Sequence, residues 1–288
     1  MSALDAKGRG LSTRGTKAPE RAGAGRLAQA ADRGDFVQSL ARGLAAIRSF
    51  DADHPAQTLS DVARRAGLSR ATARRVLHTL AGLGYADTDG RLFRLRPKVL
   101  ELGFSYLHAT GLWGAAQPYM VELVERIHES CSAAVLDGTD IVYVARVPTR
   151  TRIMSISLGL GSRLPAHLTS MGRVLLAALD PQELALRLAA LGTTDARTER
   201  TLTDPDALRR AIGKVRAQGW AILDQELEPG LRSIAVPVRG AGGQVVAALN
   251  VGTQASRVPL EDLRGRVLPA LRDTADAVSR ALGASCGR

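Results

Sequence analysis

Two short amphipathic helices separated by three residues form the pattern that most restricts the fold of this chain. The first predicted helix has Ser60 as its expected N-cap and ends before Gly67. A Gly-Leu-Ser turn follows, and its Ser69 is the expected N-cap of a second helix over residues 70–83, which Gly84 terminates. This order predicts a helix-turn-helix, a motif that binds DNA.

Elements on both sides extend the motif to a winged helix of residues 35–96. Asp35 is the expected N-cap of a preceding helix, which ends at residues 51–55, where the sequence reads Asp-Ala-Asp-His-Pro. After the helix-turn-helix, Asp89 and Gly90 lie between apolar strand residues and predict a β-hairpin with a two-residue turn. A hairpin directly after a helix-turn-helix is the wing of a winged helix.

The outer side of the second helix carries basic and hydroxyl side chains, whereas its inner side is small or aliphatic. Arginine can bind guanine edges in the major groove, and threonine can contact thymine methyls or phosphates. The residues predicted to contact double-stranded operator DNA are Ser69, Arg70, Thr72, Arg74, Arg75, His78 and, in the hairpin, Arg91. Arg75 is expected on a phosphate, and His78 either packs or contacts a phosphate. The alternative is a solvated, charged helix face.

The formal net charge of +11 is distributed unevenly along the chain. Residues 1–34 and residues 35–104 each carry a net charge of +4, whereas the last 184 residues carry +3. This excess favours a polyanionic partner such as DNA, although arginine-rich usage also follows from genome composition. Residues 1–34 show no hydrophobic period, so we expect a flexible basic arm, either without function or binding phosphates nonspecifically.

The hydrophobic pattern after residue 96 predicts a linker helix over residues 97–113 and a second domain over residues 114–288. Another helix is expected after Pro118. Strands are expected at residues 132–136, 140–147, 153–158, 220–225, 233–238 and 245–251. Helices are expected from residues 170, 181 and 205, and from 259 to about 282 with a bend at Pro269. This order predicts an α+β domain with an antiparallel sheet.

Several protein classes are disfavoured by what the sequence lacks. Cys131 and Cys286 are far apart, which argues against a disulfide framework or zinc ribbon and favours a cytoplasmic location. No apolar run is long enough to span a membrane, and no catalytic or phosphate-binding motif occurs. We therefore expect no enzymatic activity, no metal and no cofactor. An enzyme that uses Asp224, Glu226 and Ser233 is the rival hypothesis of a different class.

Five segments carry a resemblance to the IclR-type bacterial transcription regulators over residues 35–285. They are Leu-Ser-Asp-Val-Ala at 59–63 with Gly-Leu-Ser at 67–69, Gly-Ser-Arg-Leu-Pro at 161–165, Thr-Ser-Met-Gly-Arg at 169–173, and residues 219–226 and 230–237. The resemblance implies a winged helix, a linker helix and a GAF-like effector-binding domain. Residues 35–44 are similar to the opening of one subgroup, the PcaR and PobR type regulators of protocatechuate, 4-hydroxybenzoate and β-ketoadipate metabolism.

The resemblance implies a transcriptional regulator of aromatic-acid catabolism, or of another small-acid pathway. Its implied partners are operator DNA and a small carboxylate effector, either an aromatic acid or a β-ketoadipate-like acid. Further copies of the chain are expected to form a homodimer or a dimer of dimers. No membrane association is expected. Activation and repression of transcription are both compatible with this interpretation. A second domain that only oligomerises is the alternative.

The resemblance also places the effector between the sheet and the loop that leads into the helix near Ser170. A helix N-terminus offers N–H donors that suit a carboxylate. The residues expected at this site are Met154, Leu164, Thr169, Ser170, Met171, Asp224, Glu226, Arg232, Ser233 and Asn250.

Each of these residues also has a structural interpretation. Thr169 or Ser170 can be a helix cap, and the methionines can be core filler. Asp224 and Glu226, which alternate along one predicted strand and so would share a face, can pair with Arg232. Arg232 is expected either on the effector carboxylate or in an internal ion pair.

Overall fold

A computed structural model describes residues 36–149, 158–192 and 195–285 of the chain. The predicted basic arm at residues 1–34 therefore lies outside the described residues. So do Met154 and nearly all of the strand expected at residues 153–158.

The first part of the described chain is a winged helix. Its elements in chain order are α1 (Gln38–Arg48), β1 (Ala56–Thr58), α2 (Leu59–Arg65), α3 (Arg70–Gly82), β2 (Ala86–Thr88) and β3 (Leu92–Leu95). The strands form an antiparallel sheet of order β1-β3-β2. Apolar side chains of the helices pack on this sheet around Val62, Leu77 and Phe93. The predicted helix-turn-helix and wing are confirmed, whereas β1 was not predicted.

Side-chain caps set the boundaries of the helix-turn-helix. Ser69 caps α3 as predicted, since its hydroxyl accepts the N–H of Thr72 at 3.2 Å. The predicted cap of α2 is wrong, because Thr58 rather than Ser60 takes that position. Thr58 and Asp61 form a capping box, in which each side chain accepts a backbone N–H of the other residue. Gly84 follows α3 with a φ of +80°, a conformation that favours glycine.

Two helices follow the winged helix and meet at a glycine. After a 3₁₀ turn at Pro97–Val99, α4 covers Leu100–Thr110 and α5 covers Leu112–Ile127. Gly111 lies between them with a φ of +61°. The expectation of a helix starting after Pro118 is wrong, because Pro118 lies inside α5. The apolar positions of α5 on both sides of this proline belong to one buried face, and packing holds the helix together there.

The last part of the described chain is an α+β fold around a six-stranded antiparallel sheet, as predicted. Its strands are β4 (Ser130–Asp137), β5 (Asp140–Val147), β6 (Arg163–Pro165), β7 (Ala221–Asp224), β8 (Leu231–Arg239) and β9 (Val245–Gln254). The sheet order is β6-β5-β4-β9-β8-β7. Its helices are α6 (Ser170–Ala178), α7 (Pro181–Leu191), α8 (Pro205–Gln218), α9 (Leu260–Asp262) and α10 (Leu268–Ser285).

Helices cover both faces of this sheet. The helices α5 and α10 pack on one face and enclose the larger core, which includes Leu249 and Leu271. The helices α6 and α8 pack on the other face around Met171 and Ile212. The helices α7 and α8 begin at Pro181 and Pro205 as predicted, and Asp180 and Asp204 cap them.

The C-terminal helical segment changes its hydrogen-bond pattern just before Pro269. Residues Leu263–Val267 form a π turn, in which the N–H of Leu268 bonds to the carbonyl of Leu263. Proline cannot donate a backbone hydrogen bond, so the ladder is already irregular where Pro269 enters. Among the described residues, no helix is long and apolar enough to cross a membrane.

Gly172 lets α6 approach the preceding turn closely, and we expect Gly172→Ala to destabilise the fold. A Cβ atom at this position would lie 2.0 Å from the carbonyl oxygen of Ala166, a backbone atom that cannot move alone. Overpacking of this kind costs about 1–3 kcal/mol. The matched control is Gly213→Ala in α8, where a Cβ atom meets open space. It should change the free energy of unfolding by no more than about 1 kcal/mol, and in the stabilising direction. Urea unfolding of both variants tests this, and an equal response of the two would contradict it.

Candidate DNA-binding surface and effector cavity

A concave, basic surface lies between α3 and the β2–β3 hairpin. It brings together five of the seven residues predicted to contact DNA, namely Arg70, Arg74, Arg75, His78 and Arg91. All five side chains are exposed. None of the four arginines is paired with an acidic side chain in the described parts of the chain. The surface therefore presents uncompensated guanidinium groups to solvent.

The other two predicted residues lie at the start of α3 and hold its cap. Ser69 donates its hydroxyl hydrogen to Thr72 at 2.9 Å while it accepts the Thr72 N–H. His78 packs edge-to-face on Phe93, with ring centroids 5.9 Å apart. This contact supports the packing interpretation of His78.

The hairpin tip is fixed by a single carboxylate. Asp89 accepts the backbone N–H groups of Leu92 at 2.8 Å and Arg91 at 3.0 Å, and these bonds lower the pKa of Asp89 to about 2. The turn between β2 and β3 has three residues, so the predicted length of two residues is wrong. Gly90 at the tip has a φ of +90°. This turn geometry sets the position of Arg91 on the wing.

A second cavity lies in the α+β part, between the sheet face that carries α6 and the N-terminus of that helix. Residues between β7 and β8, among them Glu226 and Leu227, close one side. Its lining residues are Ser130, Ser132, Tyr143, Arg146, Leu158, Leu164, Leu168, Thr169, Ser170, Leu223, Glu226, Leu227, Leu231, Ser233, Asn250 and Gly252.

The sheet contributes a row of polar side chains to the cavity floor. Ser132 on β4 lies directly opposite Arg146 on β5 and directly opposite Asn250 on β9. Further along the same face the residues are apolar, as at Ala134 and Ala248, and they pack into the core under α6. The face therefore changes from apolar to polar where the cavity begins.

The N-terminus of α6 contributes a hydroxyl that has no partner. Thr169 is the N-cap, since its Oγ1 accepts the N–H of Gly172 at 3.0 Å. Ser170 is fully buried, and its Oγ has no hydrogen-bond partner in the described part of the chain. The buried Oδ1 of Asn250 is also unpartnered there. Buried polar atoms are normally hydrogen-bonded, so these two atoms are suited to bind a polar ligand in the cavity.

A buried ion pair holds the closing segment against α6. The guanidinium of Arg173 binds both carboxylate oxygens of Glu226, and its Nε donates to the carbonyl of His167 at 3.0 Å. Thr198 and Thr201 donate to backbone carbonyls of the same segment. These contacts fix the cavity wall independently of the sheet.

Comparison with known proteins identifies the family. The model of the IclR helix-turn-helix domain matches residues 39–90, and the model of the C-terminal domain of the bacterial transcriptional regulator IclR matches residues 104–280. The chain belongs to the IclR family of bacterial transcriptional regulators.

Three proteins show how close the similarity to IclR relatives is. The Pca regulon regulatory protein of Pseudomonas putida is 51% identical over 239 residues, which is 82% of this chain and 81% of that protein. The structure of a transcriptional regulator from Rhodococcus sp. RHA1 is 53% identical with a TM-score of 0.79, covering 87% of this chain and 100% of its own. The structure of an IclR homolog from Microbacterium hydrocarbonoxydans, complexed with 4-hydroxybenzoate, is 28% identical with a TM-score of 0.75, covering 86% and 100%.

The cavity brings together six of the residues expected at the effector site: Leu164, Thr169, Ser170, Glu226, Ser233 and Asn250. Met171 instead lies in the core under the sheet. Arg232 does not line the cavity. It donates to Asp224 at 2.7 Å and to the carbonyl of Val258 at 2.6 Å. Of the two alternatives for Arg232, the structure therefore shows the internal ion pair.

The expectation that Asp224 and Glu226 share a strand face is wrong. Strand β7 ends at Asp224, and Gln225 has a φ of +64°, which turns the chain before Glu226. The two carboxylates therefore separate. Asp224 pairs with Arg232 and Arg200, and Glu226 pairs with Arg173.

The sequence interpretation missed four polar residues of the cavity: Ser130, Ser132, Tyr143 and Arg146. The alternation of Ser130 and Ser132 with Cys131 is a signal that was available, since every second residue of a strand shares a face. Burial raises the pKa of Tyr143 to about 12, which keeps its hydroxyl protonated as a donor.

His167 is buried and should make stability depend on pH. Burial, with smaller contributions from Arg173 and Arg197, lowers the pKa of His167 to about 4 from its ordinary 6.5. Between these values the unfolded chain binds a proton that the folded chain excludes, so stability falls as the pH decreases. The expected loss from pH 7.5 to pH 5.0 is about 2 kcal/mol. Urea unfolding at both values should show a smaller loss for His167→Gln than for the wild type, and equal losses would contradict this assignment.

Proposed function

We propose that the surface between α3 and the wing binds operator DNA and that a small aromatic carboxylate in the cavity controls this binding. The protein then regulates aromatic-acid catabolism as a non-enzymatic, cytoplasmic regulator. The observation that carries the proposal is the buried Ser170 hydroxyl, which has no partner in the described part of the chain, in a cavity that Arg146 also lines. The chain is 51% identical to a Pca regulon regulatory protein.

The DNA part of the proposal is supported by the arrangement of the arginines. Arg70 and Arg74 are exposed near the start of α3, which is the end of a recognition helix that reads base edges. Arg75 and the wing residue Arg91 suit phosphates, which flank the groove. One recognition helix reads only a half-site, so we infer that two or four copies assemble on a two-fold-related operator.

Exposed apolar side chains supply candidate surfaces for that assembly. Leu40 on α1 is 63% exposed, and Leu100 and Phe104 on α4 are 60% and 44% exposed. Large apolar side chains at this exposure favour contact with a second copy of the chain.

Arginine substitutions on α3 should separate base contacts from phosphate contacts. If Arg70 and Arg74 each bind a guanine, replacing either by Ala should cost about 1–3 kcal/mol and relax the preference at one base pair. Arg75→Ala should weaken binding to all sequences and reduce the salt slope by about one unit. Fluorescence anisotropy with a duplex selected by the wild type and with a scrambled duplex measures both effects at several salt concentrations.

Arg126→Ala is the matched control for these variants. Arg126 is exposed on α5, so the variant loses the same charge outside the proposed surface. It should bind both duplexes like the wild type. Unchanged operator affinity in all three α3 variants would remove this helix from the interface.

The effector part of the proposal is supported by the chemistry of the cavity and by a relative. The IclR homolog from Microbacterium hydrocarbonoxydans is complexed with 4-hydroxybenzoate. The cavity of this chain combines apolar walls, such as Leu164 and Leu168, with hydroxyl and amide groups and a guanidinium. A flat acid with a polar substituent matches this lining.

Ser170→Ala should separate effector binding from stability. Because the Ser170 hydroxyl is buried and makes no hydrogen bond to the described residues, its removal should leave the free protein as stable as the wild type or slightly more stable. The same change should reduce the thermal shift produced by 4-hydroxybenzoate, protocatechuate or β-ketoadipate. Any of these acids at about 100 times its dissociation constant should add roughly 2.7 kcal/mol to the wild type.

Thr169→Ala is the contrasting variant for this prediction. It removes the cap of α6 and should destabilise the free protein by about 1 kcal/mol. If none of the three acids stabilises the wild type or alters its operator binding, the effector proposal fails, and a second domain that only oligomerises becomes the better hypothesis. If Ser170→Ala keeps full acid affinity, the acid binds elsewhere.

A further inference from the structure

Arg146 is a half-buried cation at the cavity floor without a carboxylate partner. Its Nη1 donates to the hydroxyl of Ser132 at 3.2 Å, and no salt bridge joins Arg146 to an acidic side chain in the described parts of the chain. A guanidinium has five N–H donors, and Ser132 accepts from one nitrogen of Arg146, so within the described parts of the chain further donors remain for a ligand in the cavity. A partly desolvated cation without an anion is unfavourable, and an anionic ligand removes that cost.

The acidic side chain that also lines this cavity is not available to Arg146. Glu226 is 12% exposed, and both of its carboxylate oxygens are bound by Arg173 in a fork arrangement. The arginine suggested by the sequence is engaged as well, since Arg232 pairs with Asp224. These ion pairs engage Glu226 and Arg232, so among the described residues that line the cavity Arg146 is the charged group left to meet the ligand.

We propose that Arg146, positioned by Ser132, binds the carboxylate of the effector and makes the cavity selective for acids over neutral analogues. This inference rests on the proposed function and assigns the residue that reads the charge of the effector. Two buried atoms that have no partner among the described residues, Ser170 Oγ and Asn250 Oδ1, then meet the remaining polar group of the ligand. An amide oxygen accepts hydrogen bonds, so it selects a donor such as a phenolic hydroxyl.

A comparison of acids with their primary amides tests this assignment. The probes are 4-hydroxybenzoate against 4-hydroxybenzamide and protocatechuate against 3,4-dihydroxybenzamide, titrated calorimetrically into the full-length protein. The wild type should prefer each acid that it binds by at least about tenfold. Arg146→Gln should weaken acid binding by about 10- to 100-fold, the range expected for hydrogen bonds to a charged group. It should change amide binding by less than about threefold.

Two further variants exclude simpler explanations. Arg146→Lys keeps the charge but loses the planar fork, so it should retain part of the preference for the acid. It also carries the test if Arg146→Gln does not fold. Arg126→Gln removes one positive charge from an exposed position of α5 and should bind like the wild type.

The outcomes distinguish this inference from the proposed function. If the wild type prefers the acid and Arg146→Gln keeps both the affinity and the preference, Arg146 is not the carboxylate partner, although the effector proposal stands. Equal binding of acid and amide by the wild type also overturns the assignment. If neither acid binds the wild type, the effector proposal fails, and the inference about Arg146 fails with it.

Discussion

The irregular pairing of β4 with β5 decides which side chains reach the effector cavity. Pairing starts at the turn with Asp137 opposite Asp140, and it shifts by one residue between Ala133 and Ala134. Without this bulge, Ser132 would lie opposite Ala145, and Arg146 would point to the face that packs on α5. A one-residue shift moves every following side chain to the other face of a strand. The bulge therefore places the guanidinium of Arg146 among the polar residues of the cavity.

The wall opposite the sheet depends on a close backbone contact at the start of α6. Gly172 allows this helix to lie against the turn at Ala166, Thr169 caps its first turn, and Arg173 ties it to Glu226. These three contacts fix the residues around Ser170, but the Ser170 hydroxyl itself makes no hydrogen bond to the described residues. A rigidly held hydroxyl is the arrangement expected of a preorganised binding site. The fold already fixes the orientation of the donor, so ligand binding does not have to order it.

Local chemistry explains which features could be predicted from the sequence. The cap at Ser69, the helix starts at Pro181 and Pro205 and the glycine stop after α3 depend on neighbouring residues only, and these predictions are confirmed. The roles of Arg232 and Arg146 depend on contacts with distant segments and on a bulge that leaves no clear mark in the sequence. The left-handed conformation of Gln225 is a similar case, because glutamine rarely adopts it and the alternation of Asp224 and Glu226 suggests a continuous strand.

The two sites of this regulator use opposite electrostatic designs, and this follows from their solvent exposure. On α3 the arginines are exposed and have no acidic partner among the described residues, an arrangement that favours a polyanion whose binding weakens with salt. At the cavity, Arg173 pairs with Glu226, so among the described lining residues the half-buried Arg146 has no carboxylate partner, and we expect it to discriminate a single carboxylate. An effector alters operator affinity only by the difference in its affinity for the free and the DNA-bound states. By the same linkage, operator DNA must change effector affinity by an equal factor. Substitutions in the cavity that weaken the acid equally in both states therefore leave this coupling intact.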